Sequence, residues 1–403
     1  MQKPLKLSSK TLIKLKLLLV LGLLGSVGCA GRTVHRDLKD TPRVLVRQWT
    51  LPTRVGGDAG DRGFEFSNPV EYDGSLIFGN HSTGITALYP GWARPRWKLP
   101  IKNGVVSEIT VEKGVLYFGG GDGNLYSVQA DTGRVLWKYD LKNPIISKPA
   151  LAGGRVFVTT SDDAAYAFDA GTGKWLWNYR RRSSPTATIL GASSPAVQED
   201  IVYIGMSDGF LVALSVQDGQ LKWQKKLHTG LKFTDIDAHP LIENNMIYVP
   251  SYDGATYCLR LGDGEILWRY DSGGSKQVVL DGPRIYLPSS DGTVYALQKD
   301  NGHLLWKFEL DQGIPTRLAA DETHLFFGSS RQYFYVLNKE TGKAIYRYNV
   351  GYDNGWYGTP LYLEEGKRLY SLSSAGNLYA FTVRQPPKKQ FWSTPLDSYE
   401  DFR

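Results

Sequence analysis

Cysteine is scarce in this sequence of 403 residues, which contains only Cys29 and Cys258. An internal disulfide would therefore have to use Cys29, and no paired-cysteine metal site is present. The six histidines are scattered without metal-ligand spacing. The sequence also lacks a glycine-rich phosphate loop, the usual mark of nucleotide binding. The sequence signatures of paired-cysteine or histidine metal sites and of phosphate loops are thus missing.

Excess positive charge is also missing from most of the chain. The formal net charge is +7, but five lysines lie in the first 28 residues, which contain no acidic residue. Removing these five charges leaves +2 for the remainder. A nucleic-acid-binding protein would instead carry a basic patch on its folded part. We therefore predict that nucleic acid is not a partner.

A long hydrophobic run is absent as well. The uncharged stretch from Leu17 to Gly28 has 12 residues, whereas a membrane-spanning helix needs about 20. With the lysines before it, this stretch is typical of a secretory signal. The residues Ser26-Val27-Gly28-Cys29 resemble a bacterial lipobox, which implies a signal peptide at 1–28 and lipidation of Cys29. An ordinary signal peptide with a chance cysteine is the alternative. Ala30 after the cysteine implies sorting to the outer membrane under the rule of enteric bacteria.

What the chain does contain is one sequence motif that is repeated eight times. Its full form is a Tyr-x-Leu-like strand, an Asp/Thr-Gly turn and a strand ending in tryptophan, as in Tyr126 to Trp137. The turn pairs supply the positive φ of tight hairpins. A period near 40 residues, with four short strands in each unit, indicates sheets stacked radially into a closed ring.

The aromatic residue that ends each unit marks the period. Seven units end at Trp97, Trp137, Trp177, Trp223, Trp268, Trp306 and Tyr346. The eighth unit stops near Val383 without its outer strand, and the segment around Trp49 has the pattern of the missing strand. We therefore predict an all-β, eight-bladed β-propeller of four-stranded antiparallel blades over residues 44–383, closed by the N-terminal strand. Residues 29–43 would form a tether and 384–403 a flexible tail.

These aromatic residues, Trp49 included, are expected to be structural, because a bulky ring docked between adjacent sheets buries a large area. Cys258 occupies the position of a small core residue in its repeat, and we expect it to be buried rather than redox-active.

The phrase from Phe168 to Trp177 resembles the tryptophan-docking repeat of the quinoprotein dehydrogenases. Those enzymes carry pyrroloquinoline quinone and calcium on the propeller axis, and many have a vicinal disulfide that this chain cannot form. No cluster of Glu, Asn and Asp suited to an axial calcium is evident. We predict no cofactor, no metal site and no catalytic residue.

Repeat length indicates where function lies. The steps to Trp223 and Trp268, of 46 and 45 residues, exceed the others, which are 38 to 40. The additional residues fall after Trp177 and after Trp223, in two connections between neighbouring blades that emerge on one face. Elaborated loops on a rigid scaffold commonly carry function. The first contains Arg180, Arg181 and Arg182.

At this point the chain resembles the BamB family of outer-membrane assembly lipoproteins. The resemblance is carried by the lipoprotein signal, the blade count, Asp235-Ile236-Asp237 before Pro240, and Ile189-Leu190-Gly191-Ala192-Ser193-Ser194-Pro195. In that family the two segments bind a periplasmic domain of BamA, the barrel that inserts β-barrel proteins into the outer membrane.

The resemblance implies that Asp235 and Asp237 accept hydrogen bonds or salt bridges from the partner and that Ile189 makes an apolar contact. Leu190 replaces the family's arginine, for which Arg180, Arg181 and Arg182 are candidate substitutes. Turn capping or a stray cation site is the alternative for the two aspartates, and a solvated loop for the arginines.

The resulting hypothesis is a non-catalytic, lipid-anchored periplasmic scaffold, monomeric within a larger complex. It would dock on a BamA-type insertase and could also hold unfolded outer-membrane proteins. A pyrroloquinoline quinone-dependent dehydrogenase and a propeller that binds carbohydrate or peptidoglycan are the alternatives.

Overall fold

The computed structural model describes residues 44–53, 67–105, 107–181, 193–227, 234–352 and 354–384. These residues form 32 β-strands and one short 3-10 helix, Glu365–Lys367. The strands are arranged in eight four-stranded antiparallel sheets. Among the residues described, no helix is both long enough and apolar enough to cross a membrane.

Blades 1 to 4 each take four consecutive strands. Blade 1 comprises β2 (Val70–Tyr72), β3 (Ser75–Asn80), β4 (Gly84–Tyr89) and β5 (Arg94–Pro100). Blade 2 comprises β6 (Thr110–Glu112), β7 (Val115–Gly119), β8 (Asn124–Gln129) and β9 (Val135–Asp140). Blade 3 comprises β10 (Ala150–Ala152), β11 (Arg155–Thr159), β12 (Ala164–Asp169) and β13 (Trp175–Arg180). Blade 4 comprises β14 (Ala196–Gln198), β15 (Ile201–Gly205), β16 (Phe210–Ser215) and β17 (Leu221–Lys226).

Blades 5 to 7 follow the same order. Blade 5 comprises β18 (Leu241–Glu243), β19 (Met246–Ser251), β20 (Ala255–Arg260) and β21 (Ile266–Tyr270). Blade 6 comprises β22 (Val279–Asp281), β23 (Arg284–Pro288), β24 (Thr293–Gln298) and β25 (Leu304–Glu309). Blade 7 comprises β26 (Ala319–Ala320), β27 (His324–Gly328), β28 (Tyr333–Asn338) and β29 (Ala344–Asn349).

Blade 8 joins the two ends of the described chain. Its first three strands are β30 (Leu361–Leu363), β31 (Arg368–Leu372) and β32 (Asn377–Val383), and its outer strand is β1 (Leu45–Pro52). Leu45 pairs with Val383 and Pro52 with Asn377. The prediction of an eight-bladed propeller closed by the strand around Trp49 is therefore confirmed.

The core lies between the blades rather than within any one of them. Ile77 and Ile85 of blade 1 pack with Leu116 and Phe118 of blade 2, and all four are at most 1% exposed. A single four-stranded sheet cannot bury both of its faces, so each blade relies on its neighbours for burial. The first strands of several neighbouring blades, such as β10 and β14, contact each other and surround the central axis.

A β-bulge occurs in the outer hairpin of every blade. In blade 3, Ala167 pairs with Trp177 but the next residue, Phe168, pairs with Trp175, so Leu176 is skipped. The same shift occurs in the other seven blades. A bulge re-aims the side chains around it. Here it precedes the aromatic residue that ends each repeat.

Candidate functional site: two long connections and a polar channel

The alternation of four antiparallel strands divides the turns between two faces of the ring. One face carries the turns between first and second strands and between third and fourth strands, and we call it the turn face. The other carries the turns between second and third strands and the connections from one blade to the next, and we call it the connection face. The strands that flank the two long connections, β13 and β14 and then β17 and β18, have their connected ends on the connection face.

The described part of the second connection, Thr234 to Pro240, is fixed to blades 4 and 5. Thr234 donates a side-chain hydrogen bond to the carbonyl of Ser207 at 2.9 Å, and the backbone N–H of Ile236 donates to the carbonyl of Met206 at 3.2 Å. The carbonyl of Asp235 accepts from the N–H of Tyr252 at 3.0 Å. Asp235 is 1% exposed. Its carboxylate therefore faces the protein interior.

Asp237 is only partly buried and has an unusual environment. The pKa of its carboxyl is raised to about 7, mainly by burial and also by the neighbouring carboxylates of Asp235 and Asp163, whereas Lys276 lowers it. Burial also raises the pKa of Asp163, although that carboxylate accepts a hydrogen bond from the N–H of Ser207 at 3.1 Å. Like charges close together favour the protonated form. Asp237 therefore gains its negative charge only near neutral pH, next to the carboxyls of Asp163 and Asp235.

The axial channel next to this surface is polar. Glu108 of blade 2 and Arg317 of blade 7 form an ion pair across the ring, with side chains 13% and 16% exposed. Burial lowers the pKa of Lys276 to about 8, helped by Arg317. Burial likewise lowers the pKa of His239 to about 4, so this imidazole is neutral at physiological pH. Its Nδ1 lies 2.9 Å from the carbonyl of Ser194 and donates to it, since a carbonyl oxygen only accepts.

The residues of this channel were not among the predicted site residues. A signal for them exists, because Glu108, His239 and Arg317 each lie two residues before the first strand of a blade. Aligning the repeats at that position would have revealed a ring of polar side chains. Residue type alone could not have revealed this ring, since each of these polar side chains is isolated in the sequence.

Two of the three predicted arginines, Arg180 and Arg181, make contacts within the propeller. Arg180, with a side chain 51% exposed, pairs with Asp162. The guanidinium of Arg181 lies 2.7 Å from Asp208 and 4.0 Å from the ring centroid of Phe210. Arg181 therefore bridges blade 3 to the turn between β15 and β16 of blade 4, and a partner would have to compete with these contacts. Arg182, Ile189, Leu190 and Cys29 lie outside the described residues.

The repeated tryptophans form a common inter-blade contact. Each indole N–H donates to a carbonyl at the start of the next blade's outer turn, over 2.7–3.1 Å, in the pairs Trp49–Pro90, Trp97–Ala130, Trp137–Ala170, Trp177–Val216, Trp268–Lys299 and Trp306–Lys339. Trp223 packs on Gly264 in the same manner. Tyr346 is partly buried between blades 7 and 8.

A profile of known protein families matches most of this chain. The family described as "Outer membrane protein assembly factor BamB" is matched over residues 83–308 and over residues 290–389. The chain belongs to the BamB family. A curated BamB from Legionella pneumophila (strain Paris) is 36% identical over 64 residues, and this match covers 14% of the present chain and 17% of the Legionella protein.

Solved structures agree on the fold. BamB from Moraxella catarrhalis superposes with a TM-score of 0.72 at 19% identity, covering 84% of this chain and all of the other. A quinohemoprotein alcohol dehydrogenase from Comamonas testosteroni superposes with a TM-score of 0.69 at 15% identity, covering 87% of this chain and 79% of the enzyme. The BamB structure and the dehydrogenase structure thus share the architecture of this chain. At these sequence identities the likeness concerns the fold alone.

The axial residues of this BamB-family chain do not suit the quinone and calcium that the dehydrogenase resemblance implies. The Glu108–Arg317 pair crosses the ring, which engages the axial carboxylate with a guanidinium. Within the described ranges, no group of three or more His, Cys, Asp or Glu side chains could hold a metal ion. Calcium prefers six to eight oxygen ligands. Among the described residues, that cofactor therefore lacks suitable ligands near the axis.

Proposed function

We propose that this protein is a non-catalytic scaffold of outer-membrane protein assembly. It would be anchored to the outer membrane through a lipid on Cys29, lie in the periplasm and dock on a BamA-type insertase while assisting the delivery of unfolded outer-membrane proteins. The observation that carries this proposal is the BamB-family match over residues 83–308 and 290–389. The two overlong connections after Trp177 and Trp223 would supply the surface for this partner.

Of the two predicted aspartates, Asp237 is the better candidate for direct contact. Asp235 is almost completely buried, whereas Asp237 is partly exposed beside it. Asp235 would then act by holding the connection in place and by raising the pKa of Asp237. The arginines at 180–182 remain candidates for the rim of the contact.

The test is co-purification with the insertase subunit from native membranes. We expect Asp237→Arg to abolish co-purification, because a cation would replace the acceptor of the partner's positive group. Asp218→Arg is the matched control, since Asp218 is an exposed aspartate on the turn face. Equal recovery of both variants with the partner would contradict the assignment. A stoichiometric complex with pyrroloquinoline quinone and calcium that oxidises an alcohol would overturn the non-catalytic proposal itself.

The raised pKa of Asp237 gives this test a pH dependence. A carboxyl with a pKa of about 7 gains charge between pH 6 and pH 8, so binding through it should strengthen over that interval. In the isolated protein the sign is the opposite, because ionisation is costlier in the folded state and stability falls as pH rises from about 4 through 7. Asp237→Asn should show weak, pH-independent binding. A wild-type affinity that is flat from pH 6 to pH 8 would contradict this role.

A further inference from the structure

The outer turn of blade 1 differs chemically from the same turn in the other blades. Trp92 is 76% exposed there and Tyr89 46%. The residues at the position of Trp92 in blades 2 to 7 are all small and polar, namely Thr132, Thr172, Asp218, Asp263, Asn301 and Thr341. An aromatic residue left in water has an energetic cost, and exposed aromatic clusters commonly mark contact surfaces.

This turn does not need Trp92 for its own structure. The backbone N–H of Trp92 donates to the carbonyl of Tyr89 at 3.2 Å, a bond that any residue can make. The inter-blade contact at this turn is made by Trp49, whose indole donates to the carbonyl of Pro90 at 2.7 Å. The exposed indole of Trp92 is therefore available for a partner.

Positive charge surrounds the two rings. Arg94, Arg96 and Lys98 on β5 are exposed, and residues 89–98 contain no acidic side chain. The guanidinium of Arg96 lies 6.0 Å from the centroid of Tyr89. The nearest carboxylates of the same blade in sequence are those of Glu71, on the inner strand β2, and Asp73, in the turn between β2 and β3. An exposed tryptophan and tyrosine flanked by arginines match a lipid interface with anionic headgroups.

The position of the turn agrees with this partner. Blade 8 has no outer turn, because the two ends of the described chain occupy that place and the N–H of Arg384 donates to the carbonyl of Val44 at 2.8 Å. The Trp49 contact joins this blade to the aromatic turn of blade 1. The predicted tether, 15 residues from Cys29 to Arg43, spans at most about 50 Å. The described chain begins at Val44 on the turn face of blade 8, so a tether would join the ring on that face, in the blade next to that of Trp92.

We propose that the turn Tyr89–Trp92, with Arg94 and Arg96, is a second membrane contact that seats the turn face of the propeller on an anionic lipid surface. This inference rests on the lipid anchor of the proposed function. Because the anchor holds the turn at a high effective concentration near the bilayer, a weak contact is sufficient. The connection face, with Asp237, then points away from the membrane towards the periplasm.

The test uses the full-length acylated protein reconstituted in vesicles of phosphatidylethanolamine and phosphatidylglycerol with brominated acyl chains. Bromine quenches only tryptophans that reach the bilayer. We expect lipid-dependent quenching in the wild type and its loss in Trp92→Thr, which restores the residue found in blades 2, 3 and 7. Trp175→Thr is the matched control, because Trp175 is also exposed, at 45%, but lies on blade 3. That variant should keep the wild-type quenching by lipid.

The outcomes separate the inference from its premise. Protein that does not float with the vesicles would refute the anchor and, with it, the membrane contact. Protein that floats but shows identical quenching in wild type and Trp92→Thr would overturn the contact alone. A Trp92→Thr variant that quenches like the wild type yet loses co-purification with the insertase subunit would assign the turn to a protein partner and also overturn it. Quenching that weakens when phosphatidylglycerol is omitted would support the role of Arg94 and Arg96.

Discussion

Replacing Gly173 by alanine should destabilise the propeller far more than replacing Gly171, two residues earlier in the same turn. Gly173 has a φ of +71°, and a Cβ built on it would lie 2.6 Å from Cδ2 of Trp137. Gly171 has no positive φ, and its Cβ would meet only Oδ1 of Asp169, at 3.6 Å. The two glycines therefore form a matched pair that differs in backbone φ and in the room available for a Cβ atom.

The magnitude follows from two contributions. An alanine in the left-handed region costs roughly 1–2 kcal/mol. Pushing the Trp137 ring aside adds about 1–3 kcal/mol of overpacking, because the indole is also held by its 2.9 Å hydrogen bond to the carbonyl of Ala170. The expected loss is about 2–5 kcal/mol for Gly173→Ala. Gly171→Ala should be neutral or stabilise by up to about 1 kcal/mol, since alanine restricts the unfolded chain.

Urea unfolding followed by circular dichroism measures both variants. With a slope of about 3 kcal/mol per molar for a protein of this size, Gly173→Ala should lower the midpoint by roughly 1 M. A double-mutant cycle with Trp137→Ala isolates the steric part. In that background, Gly173→Ala should cost only the backbone contribution of roughly 1–2 kcal/mol. An unchanged cost without the ring, or equal midpoints for Gly173→Ala and Gly171→Ala, would refute this explanation of the repeated glycine.

Two further predictions concern the channel and the core. Glu108→Gln should destabilise the fold by about 3–5 kcal/mol, because it leaves the buried guanidinium of Arg317 uncompensated. Adding Arg317→Gln should restore most of that lost stability, as measured by urea unfolding. A double variant no more stable than the single one would argue against the ion pair. Cys258 is buried, and burial raises the pKa of its thiol to about 12. Iodoacetamide at pH 8 should therefore alkylate Cys258 roughly 1000-fold more slowly in the folded protein than in denaturant. Peptide mass spectrometry measures both rates, and rapid alkylation of the folded protein would contradict the buried position of Cys258.

The parts of the fold that the sequence predicted are those governed by local rules. Asp/Thr-Gly pairs such as Thr172-Gly173 recur because the outer turn needs a positive φ and leaves no room for a Cβ. The tryptophan after each turn recurs because it must reach the next blade. These requirements recur in every blade. The period, the number of blades and the closing strand around Trp49 can therefore all be predicted from the sequence.

The surroundings of the candidate site depend on contacts that have no local signature. Asp235 and Asp237 look equivalent in the sequence, yet one is buried and the other partly exposed. Arg181 looks like part of a solvated basic run, but it pairs with Asp208 and covers Phe210 of the next blade. Such differences arise when the ring closes and brings separate repeats together.

The sequence by itself thus determined the repeating architecture, because each blade obeys the same short-range constraints on turns, strand alternation and aromatic docking. Only the tertiary structure decided how the charges are distributed across the ring. Glu108 and Arg317 are 209 residues apart and meet only because eight blades close around an axis. Ring closure likewise decides the position of the exposed aromatic turn of blade 1, because it places this turn next to blade 8, where the described chain begins.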